Sequence, residues 1–163
     1  MNNLFEINGA EFSDDRKYRY CLWRIWDENK PMVMFIGLNP STANENKDDP
    51  TIRRVKRFAF DWGFGGVYMM NLFAWITAYP AELKICEDPL GENDERLRRL
   101  SYSCKDIIFA WGSFKEAQER SKQVIKMFPF AKALVINHNG TPKHPLYIKS
   151  DTIPIPFISN IIS

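Results

Sequence analysis

The stretch that decides the fold is MVMFIGLNPSTANENKDDPTIRRVKRF, residues 32–58. Its first six residues, 32–37, are apolar without alternation, which predicts a strand buried on both faces of a sheet. Asp49 and Pro50 are residue types that begin helices, and the apolar residues after them recur at helical spacing. A helix from Pro50 to near Gly63 is therefore predicted, with the basic residues of the segment facing solvent: Arg53, Arg54, Lys56 and Arg57.

The rest of the chain repeats this alternation of apolar strands and amphipathic helices. Strands are predicted at residues 66–75, 106–112 and 132–137, and helices at 92–104 and 113–128. Before them, YRYCLWRIW (18–26) and the turn DENK predict a β-hairpin that leads into the strand at 32–37. The pattern predicts a single α/β domain over residues 1–163, with three α/β/α layers and a mostly parallel central sheet preceded by an N-terminal β-hairpin.

Composition excludes several classes of protein. Hydrophobic residues make up 45% of the 163 residues, but no apolar run is long enough to span a membrane, and no signal peptide opens the chain. We therefore expect a cytoplasmic protein with no membrane partner. The three cysteines, Cys21, Cys86 and Cys104, are far apart and form no CxxC pair, so neither a disulfide nor a zinc site is predicted. No cofactor and no metal are expected.

Net charge is only +2, but bases are in excess in the C-terminal third and cluster again at residues 53–57. Such a cluster is either a solvated helix face or a surface that receives a phosphate backbone, and the sequence leaves both interpretations open.

Polar residues stand at the predicted ends of four strands. The first strand ends in Gly37-Leu38-Asn39-Pro40-Ser41, the second carries Asn71, the third ends in Trp111-Gly112-Ser113, and His144 lies in a loop after the fourth. Because ligands of parallel sheets bind beyond the carboxyl ends of the strands, these groups predict one site. Each also has a structural explanation, such as turn formation, a backbone hydrogen bond from Asn71, or a helix cap at Ser113.

Together, the blocks GLNPS, MMNLFAW, FAWGS and KHPLY resemble, in order, the motifs of the uracil-DNA glycosylase superfamily. The resemblance implies that fold and the hydrolysis of an N-glycosidic bond in DNA or a modified nucleotide. It also implies roles: Asn39 would position a water, held by Gly37 and Pro40, Asn71 would read the edge of a base, and a neutral His144 would donate to a base carbonyl.

Two features depart from that superfamily. HPLY lacks the serine that follows His-Pro in the glycosylases, and DDPTIRR has no counterpart among them. Asp48 and Asp49 either cap the helix or join the site. The predicted site comprises Asn39, Ser41, Asn71 and His144, with Asp49 and Arg53 on its rim.

A closer resemblance is to the bacterial and phage domain-of-unknown-function family 1643, whose signature is similar to GLNPSTA followed by DDPTIRR and Trp-Gly. That family implies no activity. The functional hypotheses are thus a nucleobase-recognising hydrolase, a non-catalytic module that binds a nucleobase or single-stranded nucleic acid, or an enzyme with no nucleic-acid link.

Overall fold

Seven strands form one mixed sheet in the computed structural model, which describes residues 6–158. The strands lie in the order β1-β2-β4-β3-β5-β6-β7. Their bounds are β1 Ile7–Phe12, β2 Arg19–Ile25, β3 Met32–Gly37, β4 Gly66–Asn71, β5 Cys104–Phe109, β6 Lys132–Ala133 and β7 Ile155–Pro156. Three α-helices accompany them: α1 Pro50–Asp61, α2 Asn93–Ser101 and α3 Gln118–Met127. Short 3-10 turns occupy Pro80–Lys84, Lys115–Ala117 and Pro145–Tyr147.

The central strands are parallel, as predicted. Strand β3 pairs in parallel with both β4 and β5, and β5 pairs in parallel with β6. Antiparallel pairs extend the sheet at both sides, β1 and β2 at one and β7 at the other. The carboxyl ends of β3, β4 and β5 therefore meet at the same edge of the sheet.

The apolar run of β3 is buried on both faces, which explains why it does not alternate with polar residues. Val33 and Phe35 pack in a cluster with the apolar stripe of α1. Met34 and Ile36, which point the other way, pack in a second cluster with residues of α2 and α3. All four side chains are 0% exposed. Helices thus cover both faces of the sheet.

The N-terminal β-hairpin exists, but its strands differ from the predicted ones. Strand β2 pairs with β1 before it and with β4 after it, and both pairings are antiparallel. The DENK segment does not form a hairpin turn into β3, because β4 lies between β2 and β3 in the sheet. Both edges of β3 are taken by its parallel neighbours.

Several further predictions need correction. The strand expected at 66–75 ends at Asn71, and the helix expected at 113–128 begins only at Gln118. The strand expected at 132–137 is only two residues long, after which the chain continues to an isolated bridge between Ile136 and Pro142. Ser113 does not cap a helix, since the 3-10 turn begins at Lys115 and α3 at Gln118, and its hydroxyl contacts that of Thr141 at 2.7 Å.

Helix α1 begins as predicted, since the Asp49 side chain accepts from the Ile52 N–H at 2.8 Å and Pro50 takes the first helical position. The prediction that all its basic residues face solvent is wrong for Lys56, which is only 8% exposed. Its ammonium group contacts Asp48 Oδ2 at 3.1 Å and Glu6 Oε1 at 2.9 Å. A basic residue can occupy an interior position when carboxylates neutralise it there.

Candidate functional site

A pocket of about 250 Å³ opens at the carboxyl edge of β3 and β4. Seven of the eight predicted site residues line it: Gly37, Asn39, Pro40, Ser41, Asp49, Asn71 and His144. Gly37 at the end of β3 is paired in register with Asn71 at the end of β4, so the two residues lie side by side. The pocket is smaller than the roughly 300–1,000 Å³ clefts that hold drug-sized ligands, and a single aromatic ring system suits its size.

Two hydrogen bonds to backbone carbonyls hold the side-chain amide of Asn39 in place. Its Nδ2 donates to the carbonyl of Thr77 at 2.8 Å and to that of Pro40 at 3.1 Å, and the Thr77 N–H donates back to the Pro40 carbonyl. Two carbonyl acceptors fix the orientation of the amide, because the reverse orientation would place oxygen against oxygen. No group among residues 6–158 donates to Asn39 Oδ1. Asn39 therefore offers the pocket an acceptor.

Asn71 offers the opposite polarity. Its Oδ1 accepts from Arg19 Nη2 at 3.2 Å, which leaves its Nδ2 without a partner among the described residues. Gly37 makes room for that amide, since a Cβ at position 37 would lie 3.0 Å from Asn71 Nδ2 and 2.8 Å from Met69 Cε. Asn71 was expected to contact a base through both its amide oxygen and its amide nitrogen. Only the nitrogen, a donor, is available, because the oxygen already accepts from Arg19.

The backbone around Asn71 is held by a residue outside the pocket. Asn93, at 0% exposure, donates from Nδ2 to the carbonyl of Asn71 at 2.7 Å and to that of Leu72 at 3.1 Å. Asn93 is the first residue of α2, so this helix fixes the end of β4 where the pocket begins.

His144 is held in one tautomer. Its Nδ1 accepts from the Leu146 N–H at 3.2 Å, so the proton of the neutral ring lies on Nε2. Burial lowers the pKa of His144 from its ordinary value of 6.5, while the charge of Asp49 opposes this by raising it. At neutral pH the ring is therefore an uncharged donor at the wall of the pocket.

The loop that carries His144 is attached to α1 through Arg54. The guanidinium donates to the Pro145 carbonyl at 3.4 Å and, more closely, to the carbonyl of Ile148. Arg54 is therefore half-buried rather than simply solvated, which corrects the prediction for this residue. Arg53 does remain exposed, and it donates to the Asp48 carbonyl at 3.4 Å outside the pocket.

The two aspartates of DDPT have different environments. Asp48 is partly buried, pairs with Arg24 Nε at 2.8 Å and with Lys56, and does not line the pocket. Asp49 lines the pocket while its Oδ1 caps α1 through the Ile52 N–H. Asp49 is thus the helix cap, as one interpretation of this pair expects, and it also lines the pocket; a role in the chemistry of the site stays a prediction.

The third block contributes less than expected. Trp111 is 1% exposed and packs in the core against Phe109, with ring centroids 4.6 Å apart. Gly112 has a left-handed φ of 79°, and its N–H donates to the Pro142 carbonyl, which brings the His144 loop alongside β5. Phe114, beyond this glycine, reaches the pocket wall instead.

Sequence reasoning missed ten other pocket residues, among them Arg19, Thr77 and Phe114. Arg19 lies in the sheet at the start of β2, and Thr77 in an irregular segment after β4. Neither position carries a local pattern that distinguishes it. A weak signal existed for Phe114, since an aromatic residue directly after Gly112-Ser113 follows a predicted strand end.

A second cleft of about 360 Å³ adjoins the pocket and shares Phe114 and His144 with it. Tyr147, 81% exposed, and Lys143 also line this cleft. Aromatic faces beside a cation are features of surfaces that hold unpaired nucleotides.

Within residues 6–158, no group of three or more His, Cys, Asp or Glu side chains lies together as metal ligands would. None of the helices in the same range is long and apolar enough to cross a membrane.

Fold and site together define an α/β protein with a small, polar-lined pocket at the carboxyl edge of parallel strands. The family model described as "Protein of unknown function (DUF1643)" matches residues 19–146, which is more than half of the chain, and the protein belongs to this family. Comparison with curated proteins and with solved structures found no match. The expected family membership is thus confirmed, and the resemblance to the uracil-DNA glycosylases stays a prediction.

Proposed function

We propose that this protein recognises a nucleobase in the pocket and hydrolyses the N-glycosidic bond of that base, in DNA or in a modified nucleotide. One observation carries the proposal. Asn39 Oδ1, Asn71 Nδ2 and His144 Nε2 belong to residues that line one cavity, and each atom lacks a hydrogen-bond partner among the described residues. The two donors suit the carbonyl groups on the edge of a base, and the acceptor suits a water molecule beside that base.

Hydrolysis of the N-glycosidic bond requires few groups beyond those that line the pocket. Cleavage of the bond between C1′ and the base nitrogen passes through an oxocarbenium-like sugar, and negative charge develops on the departing base. His144 Nε2–H and Asn71 Nδ2 donate where that charge appears. Water adds to C1′ as the bond between C1′ and the base nitrogen breaks, and the proton that the water loses reaches this nitrogen by way of the Asp49 carboxylate. Asn39 Oδ1 orients the water, and the Asp49 carboxylate is an acceptor for its proton on the same wall.

The resemblance of GLNPS, MMNLFAW, FAWGS and KHPLY to the glycosylase motifs supports this function, as does the arrangement of helices on both faces of a parallel-centred sheet. We accordingly propose a three-layer fold of the uracil-DNA glycosylase type. One departure has a structural explanation, since Asp48 pairs with Arg24 and Lys56 and thereby stabilises the fold.

The experiment is a base-release assay over normal and modified bases in single- and double-stranded DNA and in free nucleotides. Asn39→Ala removes the water-orienting oxygen, and we expect it to lower the release rate by at least about a hundredfold. The matched control is Asn29→Ala, an exposed asparagine outside the pocket, which should release base at the wild-type rate. Absence of product from every substrate, with well-folded wild-type protein, would refute the hydrolase.

A second candidate function is a non-catalytic module that binds a nucleobase or a single strand, and the second cleft favours it. Phe114 and Tyr147 would stack on bases there, and Lys143 would approach the phosphates. Such a module binds single-stranded DNA with affinity that falls steeply as salt rises, and yields no abasic product. Tyr147→Ala should weaken binding of the strand. Tyr102→Ala should not, because Tyr102 is also exposed but lines neither the pocket nor the second cleft.

A further inference from the structure

Arg19 is an interior cation without a carboxylate partner. Three arginines of the described chain are buried: Arg19, Arg24 and Arg120. Arg24 pairs with Asp48 and Arg120 with Asp94, whereas no carboxylate of residues 6–158 forms an ion pair with Arg19, which is 3% exposed. A buried charge without a counter-charge is unfavourable in the folded state, so a group that supplies one should bind there.

The hydrogen bonds of Arg19 leave much of its guanidinium unused. Nη1 donates to the Ala43 carbonyl at 3.1 Å, and Nη2 donates to Asn71 Oδ1 at 3.2 Å. Each of these nitrogens carries a second N–H, and Nε is buried with no acceptor at all. Burial lowers the pKa of Arg19 to about 10, an effect that Asp49 opposes, and the group therefore remains a cation at neutral pH.

The neighbourhood of Arg19 within the pocket is rich in donors. Its bond to Asn71 Oδ1 leaves the Nδ2 of that pocket-lining amide unpaired among the described residues, and the first turn of α1 reaches the cavity through Thr51. Asp49 is the carboxylate of the pocket, but its Oδ1 is taken up in capping α1, and it makes no ion pair with Arg19. One part of the pocket thus favours an anionic oxygen, and the part beside Asp49 favours an N–H group.

We propose that Arg19 forms an anion subsite in this pocket, which takes a carboxylate or phosphate group of the ligand. The choice of ligand rests on the proposed function. We expect a nucleobase that carries an anionic oxygen group and directs its N–H groups toward Asp49. The planar guanidinium matches the two oxygens of such a group. The ligand supplies the contacting anionic partner that no carboxylate among residues 6–158 provides to Arg19.

The test compares three probes, uracil, 5-carboxyuracil and inorganic phosphate, by calorimetric titration of the full chain. We expect one equivalent of 5-carboxyuracil to bind at least tenfold more tightly than uracil, and Arg19→Gln to abolish that preference. Arg57→Gln, which removes an exposed arginine outside the pocket, should leave the preference unchanged. Saturating 5-carboxyuracil should raise the thermal midpoint of wild type but not that of folded Arg19→Gln, a difference that a purely structural arginine would not produce.

The outcomes separate this inference from the proposed function. Phosphate binding that depends on Arg19, with no binding of either base, supports the subsite and refutes nucleobase recognition. Equal affinity for uracil and 5-carboxyuracil, or no binding of either anion to folded wild-type protein, overturns the subsite. Should Arg19→Gln fail to fold, Arg19→Lys and competition between phosphate and 5-carboxyuracil on wild type decide the matter, since a shared subsite requires that phosphate displace the base.

Discussion

Replacing Asp48 by asparagine should strongly destabilise the protein without changing the pocket. Asp48 Oδ1 accepts from Arg24 Nε at 2.8 Å, and its Oδ2 accepts from Lys56 at 3.1 Å. Arg24 is 0% and Lys56 8% exposed, so the substitution removes the carboxylate that both cations share below the surface. Asp48 thereby explains the first aspartate of DDPT as a structural counter-charge.

The magnitude follows from what remains after the substitution. Breaking a buried pair by removing one partner costs about 3–5 kcal/mol. In the variant, Arg24 keeps backbone acceptors such as the Asn44 carbonyl at 2.6 Å, and Lys56 keeps its contact with Glu6. The loss of stability should therefore lie at the lower end of this range. We expect Asp48→Asn to lower the free energy of unfolding by about 3 kcal/mol, a large part of the roughly 5–15 kcal/mol that stabilises a typical domain.

Urea unfolding of wild type and variant measures this loss, with Asp61→Asn as the matched control. Asp61 pairs with Arg57 one turn away on the surface of α1, where side-chain exposures are 35% and 60%, so that substitution should cost only about 0.3–0.5 kcal/mol. If Asp48→Asn costs no more than Asp61→Asn, the reasoning from burial is wrong.

Acid should reduce the advantage of wild type over Asp48→Asn. Burial alone raises the pKa of Asp48, but hydrogen bonds from Arg24 and Lys56 outweigh it, and the pKa is lowered from its ordinary 3.8. A carboxyl whose pKa is lower in the folded state stabilises the fold fully above the unfolded value and loses that contribution as the pH falls through the folded one. The stability difference between the two proteins should thus be constant above about pH 5 and shrink below pH 3.8. A difference that grows in acid would contradict the assignment.

Two other predictions concern the pocket. Gly37→Ala places a Cβ 2.8 Å from Met69 Cε and 3.0 Å from Asn71 Nδ2. The flexible end of Met69 can shift, so the substitution should cost only about 1 kcal/mol in urea unfolding, but it should displace the Asn71 amide and weaken 5-carboxyuracil binding. Unchanged binding would show that Asn71 does not reach the ligand. Burial lowers the pKa of His144 from 6.5, so its contribution to stability is complete above pH 6.5 and falls as the pH drops through the lower folded value. His144→Gln should remove that part of the pH dependence of the urea midpoint.

The parts of the fold that sequence reasoning predicted well are those encoded locally. Asp49 and Pro50 define the start of α1, and the continuous apolar run of residues 32–37 defines a strand buried on both faces. The convergence of Asn39, Asn71 and His144 on one pocket was predictable too, because parallel strands end at a common edge.

The predictions that were wrong concern contacts between residues that are distant in sequence. The partner of β2 could not be derived from its own residues, since the choice between β3 and β4 depends on which strands occupy the edges of β3. Lys56 looked solvated by helical position, and only its contacts with Asp48 and Glu6 account for its burial.

The sequence by itself determined the α/β class, the start of α1 and the polar residues that the strands carry to one edge, because periodicity, capping and strand direction are local properties. Only the tertiary structure decided the chemistry of the pocket. Arg19 meets Asn71 across 52 residues of chain, takes up its oxygen and leaves a buried cation beside a free amide. Contacts of that separation leave no pattern in the sequence, because the sheet order that creates them is a property of the whole fold.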